Sequence, residues 1–222
     1  MSVKVKICGV RTPAIVEAAA EAGADYIGLV FFPRSLRYVA PDSAGALAEA
    51  ARGRIKTVAV FVDPEDALID QVMAKVAPDM LQLHGGETPQ RAASIKTKTG
   101  LPILKAIAVG GAADTTEAAS FAGIADMILF DAKAHPSATI PGGNGVVFDW
   151  RALCGVSQAA PFALSGGLDP GNVGEALAQT GATLVDVSSG VESAPGEKDA
   201  DLVRKFVAAA KGRRSQNGAG PS

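Results

Sequence analysis

Cys8 and Asp131 each end a strand-like run, and their side chains could serve as a general base and a general acid. Cys8 closes the alternating run 3–8 (VKVKIC), and Asp131 follows the apolar run 126–130 (DMILF). A thiol with an ordinary pKa of about 8.5 needs only modest help from neighbouring positive charge or backbone dipoles to take up a proton. If the two run ends meet, the pair could act on opposite faces of one small substrate. Taken alone, Cys8 is equally consistent with a small buried side chain and Asp131 with a loop cap.

Glycine-bearing turns after two later runs are candidates for binding a phosphate group. They span residues 165–172 (SGGLDPGN) and 188–192 (SSGVE). Exposed backbone N–H groups in such turns and at short helix N-termini bind anions. The candidate phosphate-binding residues are Gly166, Gly167, Ser188, Ser189 and Gly190. The alternative is that the paired glycines only make a tight turn.

Two arginines in the segment 31–39 (FFPRSLRYV) are candidates for binding a carboxylate. Arg34 or Arg37 could grip it with two parallel hydrogen bonds, although solvation at the surface is the ordinary fate of an arginine. Other polar residues at strand ends are possible substrate contacts: Gln82, His84 and Asp186. The chain has two histidines and none of the HxH, HExxH or CxxC spacings, so the sequence predicts no metal site.

The composition favours a single globular protein with a small-molecule partner. Of 222 residues, 48% are hydrophobic and 20% charged, and the net charge of −2 lacks the imbalance of nucleic-acid or membrane-surface binders. Two cysteines form no disulfide framework, which fits a reducing compartment, and the N-terminus has no signal-peptide pattern. No apolar run approaches the roughly 18 residues of a membrane span. We therefore expect a cytoplasmic protein that binds neither nucleic acid nor membrane.

Eight apolar, β-branched runs alternate with alanine-rich stretches along the chain. The predicted strands are 3–8, 25–31, 56–62, 79–85, 102–108, 126–132, 161–166 and 184–189. The predicted helices are 13–23, 41–51, 64–76, 88–100, 114–123, 169–181 and 199–212. This alternation favours an α/β fold with one domain, a (β/α)8 TIM barrel over residues 1–212, with an open doubly wound sheet as the alternative. In a barrel the strand ends share one mouth, which would bring Cys8 and Asp131 together.

Local signals predict where several helices begin and end. Each of four residues that precede a proline is a predicted N-cap: Thr12, Asp63, Thr88 and Asp169. Glycines predicted to end helices are Gly23, Gly100, Gly123 and Gly181. The segment 133–147 (KAHPSATIPGGNGVV) is predicted to be a long loop, and its part 135–145 to close over the substrate. Cys154 is predicted to be a packing residue, and the polar tail 213–222 to be disordered.

Seven segments, in order, resemble the phosphoribosylanthranilate isomerase family. They are KICG, GADYIGLVFFPRSLRYV, LQLHG, LFDAK, GGNGVVFDW, LSGGLDPGNV and VDVSSGVESAPGEKD, and the resemblance runs from about residue 3 to residue 212. Members are (β/α)8 barrels of tryptophan biosynthesis. They convert N-(5'-phosphoribosyl)anthranilate into 1-(2-carboxyphenylamino)-1-deoxyribulose 5-phosphate by an Amadori rearrangement that needs no cofactor.

The resemblance also implies residue roles. Cys8 would be the general base, Asp131 the general acid, and Arg37 the residue that holds the anthranilate carboxylate. The residues implied to hold the phosphate are Gly166, Gly167, Ser188, Ser189 and Gly190. Whether the protein is a monomer or a homodimer stays open.

Two other functions are compatible with the same barrel. A related aminoaldose isomerase of histidine biosynthesis is expected to end strand one with an aspartate, where this chain has Cys8, although a dual-substrate enzyme stays open. A non-catalytic phosphate-binding barrel would be marked by loss of the acid or the base, and both Cys8 and Asp131 are present.

Overall fold

A computed structural model describes residues 3–132, 150–153 and 161–212. Eight parallel strands form a closed barrel in which neighbours follow chain order and β8 pairs with β1. The strands are β1 (Lys4–Cys8), β2 (Tyr26–Val30), β3 (Lys56–Phe61), β4 (Met80–Leu83), β5 (Ile103–Val109), β6 (Met127–Ala132), β7 (Phe162–Leu164) and β8 (Leu184–Val187). All eight predicted strands and the closed barrel are confirmed, and the open sheet is excluded.

Helices surround this barrel. They are α1 (Pro13–Ala22), α2 (Pro41–Ala51), α3 (Asp66–Val76), α4 (Pro89–Thr99), α5 (Val173–Thr180) and α6 (Ala200–Ala210), with 3-10 helices at Ala112–Phe121, Trp150–Leu153 and Ser189–Val191. A small hairpin that the sequence did not predict, β9 (Glu192–Ala194) and β10 (Glu197–Lys198), lies between β8 and α6. Within the described ranges, no helix is long and apolar enough to cross a membrane.

The buried apolar side chains form two layers because successive residues of a strand point to opposite faces. The outer layer packs between strands and helices and includes Ile7, Ile27 and Phe61. The inner layer fills the barrel and includes Cys8 and Leu129. Charged side chains share the buried interior with this inner layer, and the site is built from them.

Two of the four predicted N-caps are confirmed. The hydroxyl of Thr12 accepts a hydrogen bond from the Ile15 N–H, and that of Thr88 accepts one from the Arg91 N–H at 3.2 Å. The glycines after α1, α4 and α5 adopt the expected left-handed conformation.

The predictions for Asp63 and Asp169 are wrong. α3 begins at Asp66, because the Asp63 N–H donates instead to the Glu87 carboxylate at 2.9 Å and holds the chain in a left-handed turn with φ of 46°. α5 begins at Val173, because the Asp169 carboxylate accepts N–H groups two and three residues on and so forms an Asx turn before the helix.

The stretch predicted as helix 114–123 is a 3-10 helix, Ala112–Phe121. The hydroxyls of Thr116 and Ser120 donate to carbonyls three residues earlier and compete with the α-helical ladder. Gly123 follows this helix with φ of 75°. The predicted loop 133–147, Cys154 and the tail 213–222 lie outside the described residues.

Candidate active site

Cys8 stands at the end of β1 inside the barrel mouth, as the sequence predicted. It is a free cysteine with 9% of its surface exposed. Its neighbour across the strand pair is Gly28, and a Cβ there would lie only 3.0 Å from the Cys8 sulfur. The missing side chain at Gly28 therefore makes the space that the thiol occupies.

Burial raises the pKa of the Cys8 thiol because the thiolate is poorly solvated inside the barrel. The ammonium of Lys6 opposes this effect, the carboxylate of Asp186 adds to it, and the ammonium of Lys198 opposes it more weakly. The ionisation of Cys8 therefore depends on the charges around it.

Lys6 and Asp186 form an ion pair at the centre of the barrel. Lys6 Nζ lies 2.9 Å from Asp186 Oδ1, and the two side chains are 0% and 4% exposed. Asp186, predicted as a possible substrate contact at a strand end, lies in the barrel interior beside Lys6. Lys6 was missed, although the alternation of β1 places it on the same inward face as Cys8.

Asp131 ends β6, as predicted, and is 4% exposed. The side-chain amide of Gln82 lies 2.7 Å from His84 Nδ1, and His84 Nε2 lies 3.1 Å from Asp131 Oδ2. The structure therefore brings three predicted site residues into one hydrogen-bonded chain that orients the carboxyl group.

The loops after β7 and β8 lie against each other beside Asp131. They line a small pocket together with the strand ends: Asp131, Ser165, Gly166, Gly167, Leu168, Asp186, Val187, Ser188 and Ser189. A Cβ at Gly166 would be 2.5 Å from the Ala132 amide nitrogen, and one at Gly190 would be 1.9 Å from the Leu168 carbonyl oxygen. Only glycine permits this close packing of main chain, and Gly166 and Gly167 also have φ angles of 90° and 64°, as a tight turn requires.

Ser188 differs from the other predicted phosphate ligands because its hydroxyl is engaged within the protein. It donates to the Cys8 carbonyl at 3.2 Å and accepts from Lys198 Nζ at 3.3 Å. The Ser188 side chain thus links the β8 loop to the end of β1.

Arg37 is buried, with 7% of its surface exposed, whereas Arg34 is exposed. Solvation is therefore the wrong interpretation for Arg37. Its side chain lies across Gly9, where a Cβ would be 2.6 Å from Arg37 Cδ. Its Nε and Nη2 donate to the two carboxylate oxygens of Glu192 at 2.7 and 2.9 Å.

Glu192 joins Arg37 to a second buried cation, Lys198, which hydrogen-bonds the same carboxylate. Burial alone would raise the pKa of Glu192, but hydrogen bonds from Arg37 and Lys198 lower it to about 2. Burial lowers the pKa of Lys198, and Glu192 partly offsets that effect. Sequence reasoning missed both partners, which lie on the unpredicted hairpin.

Lys105 lies in the middle of β5. It points outward, with Nζ 2.9 Å from Glu87 and 5.6 Å from the centre of the Phe121 ring. Among the described residues, no group of three or more His, Cys, Asp or Glu side chains is placed to hold a metal ion.

Comparison with known proteins agrees with this geometry. Residues 5–209 match the family model described as N-(5'-phosphoribosyl)anthranilate (PRA) isomerase. The chain belongs to the phosphoribosylanthranilate isomerase family.

Individual relatives of the family match over nearly the whole chain. The N-(5'-phosphoribosyl)anthranilate isomerase of Paramagnetospirillum magneticum is 51% identical over 214 residues, which is 96% of this chain and 100% of the relative. The crystal structure of the Thermotoga maritima phosphoribosylanthranilate isomerase has 34% identity and a TM-score of 0.85, covering 95% of this chain and 99% of that one. A phosphoribosylanthranilate isomerase solved with reduced 1-(o-carboxyphenylamino)-1-deoxyribulose 5-phosphate has 33% identity and a TM-score of 0.83, at the same coverage.

Proposed function

We propose that the protein isomerises N-(5'-phosphoribosyl)anthranilate to 1-(2-carboxyphenylamino)-1-deoxyribulose 5-phosphate, in tryptophan biosynthesis. The observation that carries the proposal is the placement of a thiol and a carboxyl group at the ends of β1 and β6, beside a pocket of glycine turns. Family membership supports the same reaction. The aspartate expected at the end of strand one in the histidine-pathway enzyme is absent, since Cys8 stands there.

Asp131 acts as the general acid in the first step. It gives a proton to the ring oxygen of the ribose, the bond from that oxygen to C1' breaks, and the anthranilate nitrogen forms an iminium with C1'. His84 orients the carboxyl group, and Gln82 holds the imidazole ring. A positioned acid of this kind contributes about 10²–10⁴-fold to a rate.

Cys8 acts as the general base in the second step. Its thiolate takes the proton from C2', and the electron pair of that C–H bond neutralises the iminium to give an enolamine. The enolamine then becomes the ketone, gaining a proton at C1' and losing one from the C2' hydroxyl, which returns both groups to their starting states. The iminium nitrogen is the electron sink, so the reaction needs no cofactor.

The phosphate and the carboxylate of the substrate anchor its two ends. The phosphate binds to the main chain of the loops after β7 and β8, at Gly166, Gly167, Ser189 and Gly190. The Ser188 side chain is bonded within the protein, so Ser188 contributes through its main chain. Arg37 binds the anthranilate carboxylate from the loop that follows β2, where Glu192 fixes the plane of its guanidinium group.

The test follows the loss of anthranilate fluorescence as freshly made phosphoribosylanthranilate is consumed, without added metal. Cys8→Ala and Asp131→Ala should each lower kcat and kcat/KM together by about 10²–10⁴-fold while circular dichroism stays unchanged. Cys154→Ala is the matched control and should keep the parent rate. An inert parent protein, or activity only on the aminoaldose of histidine biosynthesis, would contradict the proposal. Full activity of Cys8→Ala would contradict the assignment of the base alone.

A further inference from the structure

Lys6 is a buried cation for which the proposed reaction has no direct use. Its side chain is fully buried inside the barrel, and its partner Asp186 is 2.9 Å away. Such a pair costs several kcal/mol of desolvation for each ion, and apolar residues of similar size often replace it without loss of stability. Stability alone therefore does not account for a lysine at this position.

Lys6 and Cys8 share one small space. They occupy alternate positions of β1 and so point to the same face. A Cβ at Gly28 would lie 3.0 Å from the Cys8 sulfur and 3.1 Å from Lys6 Nζ, so both side chains border the gap that the glycine leaves. The ammonium is therefore a close neighbour of the atom that must accept the substrate proton.

We propose that Lys6, held in place by Asp186, is the positioning residue that stabilises the Cys8 thiolate from inside the barrel. The proposal rests on the role of Cys8 as the base. Inside the barrel water cannot solvate a thiolate, and a fixed ammonium at the same gap beside Gly28 supplies the stabilisation that water would give at the surface. Asp186 keeps the cation in place and in its charged form.

The charges around Cys8 agree with this role. Burial of the Lys6 ammonium by itself lowers its pKa, but Asp186 and Cys8 outweigh burial, so that the pKa of Lys6 is raised and the group stays charged. The ammonium of Lys198, on β10, also lowers the pKa of Cys8, but more weakly than Lys6 does. Burial raises the pKa of Asp186 and Lys6 opposes this effect, whereas the smaller effects of Asp131 and His84 on that pKa have opposite signs.

The direct test is the ionisation of Cys8, measured from the ¹³Cβ chemical shift of labelled cysteine in a Cys154→Ala background. The double variant Lys6→Met/Asp186→Asn removes both charges and leaves no buried ion without its partner. We expect its Cys8 midpoint to rise above the parent value, by less than the roughly 1–3 pH units of one unopposed neighbouring charge, because the variant also removes the Asp186 carboxylate.

A matched pair elsewhere in the protein provides the control. Lys105 and Glu87 are equally buried, with Nζ 2.9 Å from the carboxylate, but lie outside the barrel wall. Lys105→Met/Glu87→Gln should leave the Cys8 midpoint where it is. An unchanged or lowered midpoint in the Lys6→Met/Asp186→Asn variant would overturn the proposal, as would equal shifts in the two double variants.

A measurement on the parent protein keeps the proposal testable if the double variant does not fold. The ¹³Cε signal of Lys6 should move at the Cys8 midpoint, and Cys8→Ser should abolish that step. A Lys6 signal that does not respond to Cys8 ionisation would show that the two groups are not coupled and would overturn the proposal.

Activity separates this proposal from the one on which it rests. In the folded double variant, the limb of the kcat/KM profile that reports Cys8 should move to higher pH by the same amount as the ¹³Cβ midpoint. Retained activity of Cys8→Ala would remove Cys8 as the base. The ¹³C titrations would still decide whether Lys6 controls the thiolate.

Discussion

Replacement of Glu192 by glutamine is expected to destabilise the protein at neutral pH and to remove part of its sensitivity to acid. Glu192 is the carboxylate that Arg37 and Lys198 share, and its side chain is 4% exposed, so water screens the three charges poorly. Glutamine keeps the shape and one acceptor oxygen but loses the negative charge. Removal of one partner from a buried ionic network typically costs about 3–5 kcal/mol.

The pKa of Glu192 gives a second measure of how much its negative charge stabilises the folded protein. Hydrogen bonds from Arg37 and Lys198 overcome the effect of burial and lower the pKa from 4.5 to about 2. At roughly 1.4 kcal/mol for each pKa unit, this difference corresponds to an upper limit of about 3 kcal/mol at neutral pH. Because the pKa is lower in the folded state, this stabilisation is complete above about pH 4.5 and is lost as the pH falls through about 2. About 2 kcal/mol of it disappears between pH 7 and pH 3.

Urea unfolding of the parent and Glu192→Gln proteins at a series of pH values between 7 and 3 measures both effects. The gap between the two free energies of unfolding should be largest at pH 7 and should narrow by about 2 kcal/mol at pH 3. Glu49→Gln is the control, because the Glu49–Arg52 pair is exposed and should change stability by less than about 1 kcal/mol. If the free energies of unfolding of the parent and Glu192→Gln proteins changed with pH in parallel, the reasoning would be refuted, since Glu192 would then titrate alike in the folded and unfolded states.

Two further substitutions test the local structure around the site. Gly190→Ala should force the β8 loop away from the Leu168 carbonyl, destabilise the protein by about 1–3 kcal/mol and raise KM more than it lowers kcat, as steady-state kinetics and urea unfolding would measure. Thr12→Ala should cost about 1 kcal/mol of unfolding free energy in urea with no change in kcat, because it removes only the acceptor for the Ile15 N–H at the start of α1.

The sequence was most informative where local chemistry alone decides the structure. The buried strands are continuous apolar runs or, in β1, an alternating run, so all eight could be found, and Thr12 and Thr88 cap helices because their partners lie three residues away. Asp63 failed as a cap because its backbone bonds to Glu87, 24 residues further on. A local sequence motif contains no information about a hydrogen-bond partner so distant in the chain.

The same limit applies to the site. Cys8 and Asp131 could be found because the ends of parallel strands in a barrel meet at one mouth. The pairing of Lys6 with Asp186 spans 180 residues of chain, and that of Arg37 with Glu192 spans 155. A lysine in an alternating strand looks like a solvent-facing residue until the closed barrel shows that its face points inward.

Together these pairs explain how a buried thiol could work as a base. Lys6 lies on the inner side of Cys8, and Lys198 lies on the side of the β8 loop, where it contacts Ser188. Each ammonium is held by a carboxylate, so its charge and position are fixed before the substrate arrives, and no reorganisation is needed when the thiolate forms. The substrate itself brings a phosphate and a carboxylate, which would oppose a thiolate nearby. Cations fixed around Cys8 must therefore offset both the loss of water and the negative charge of the substrate.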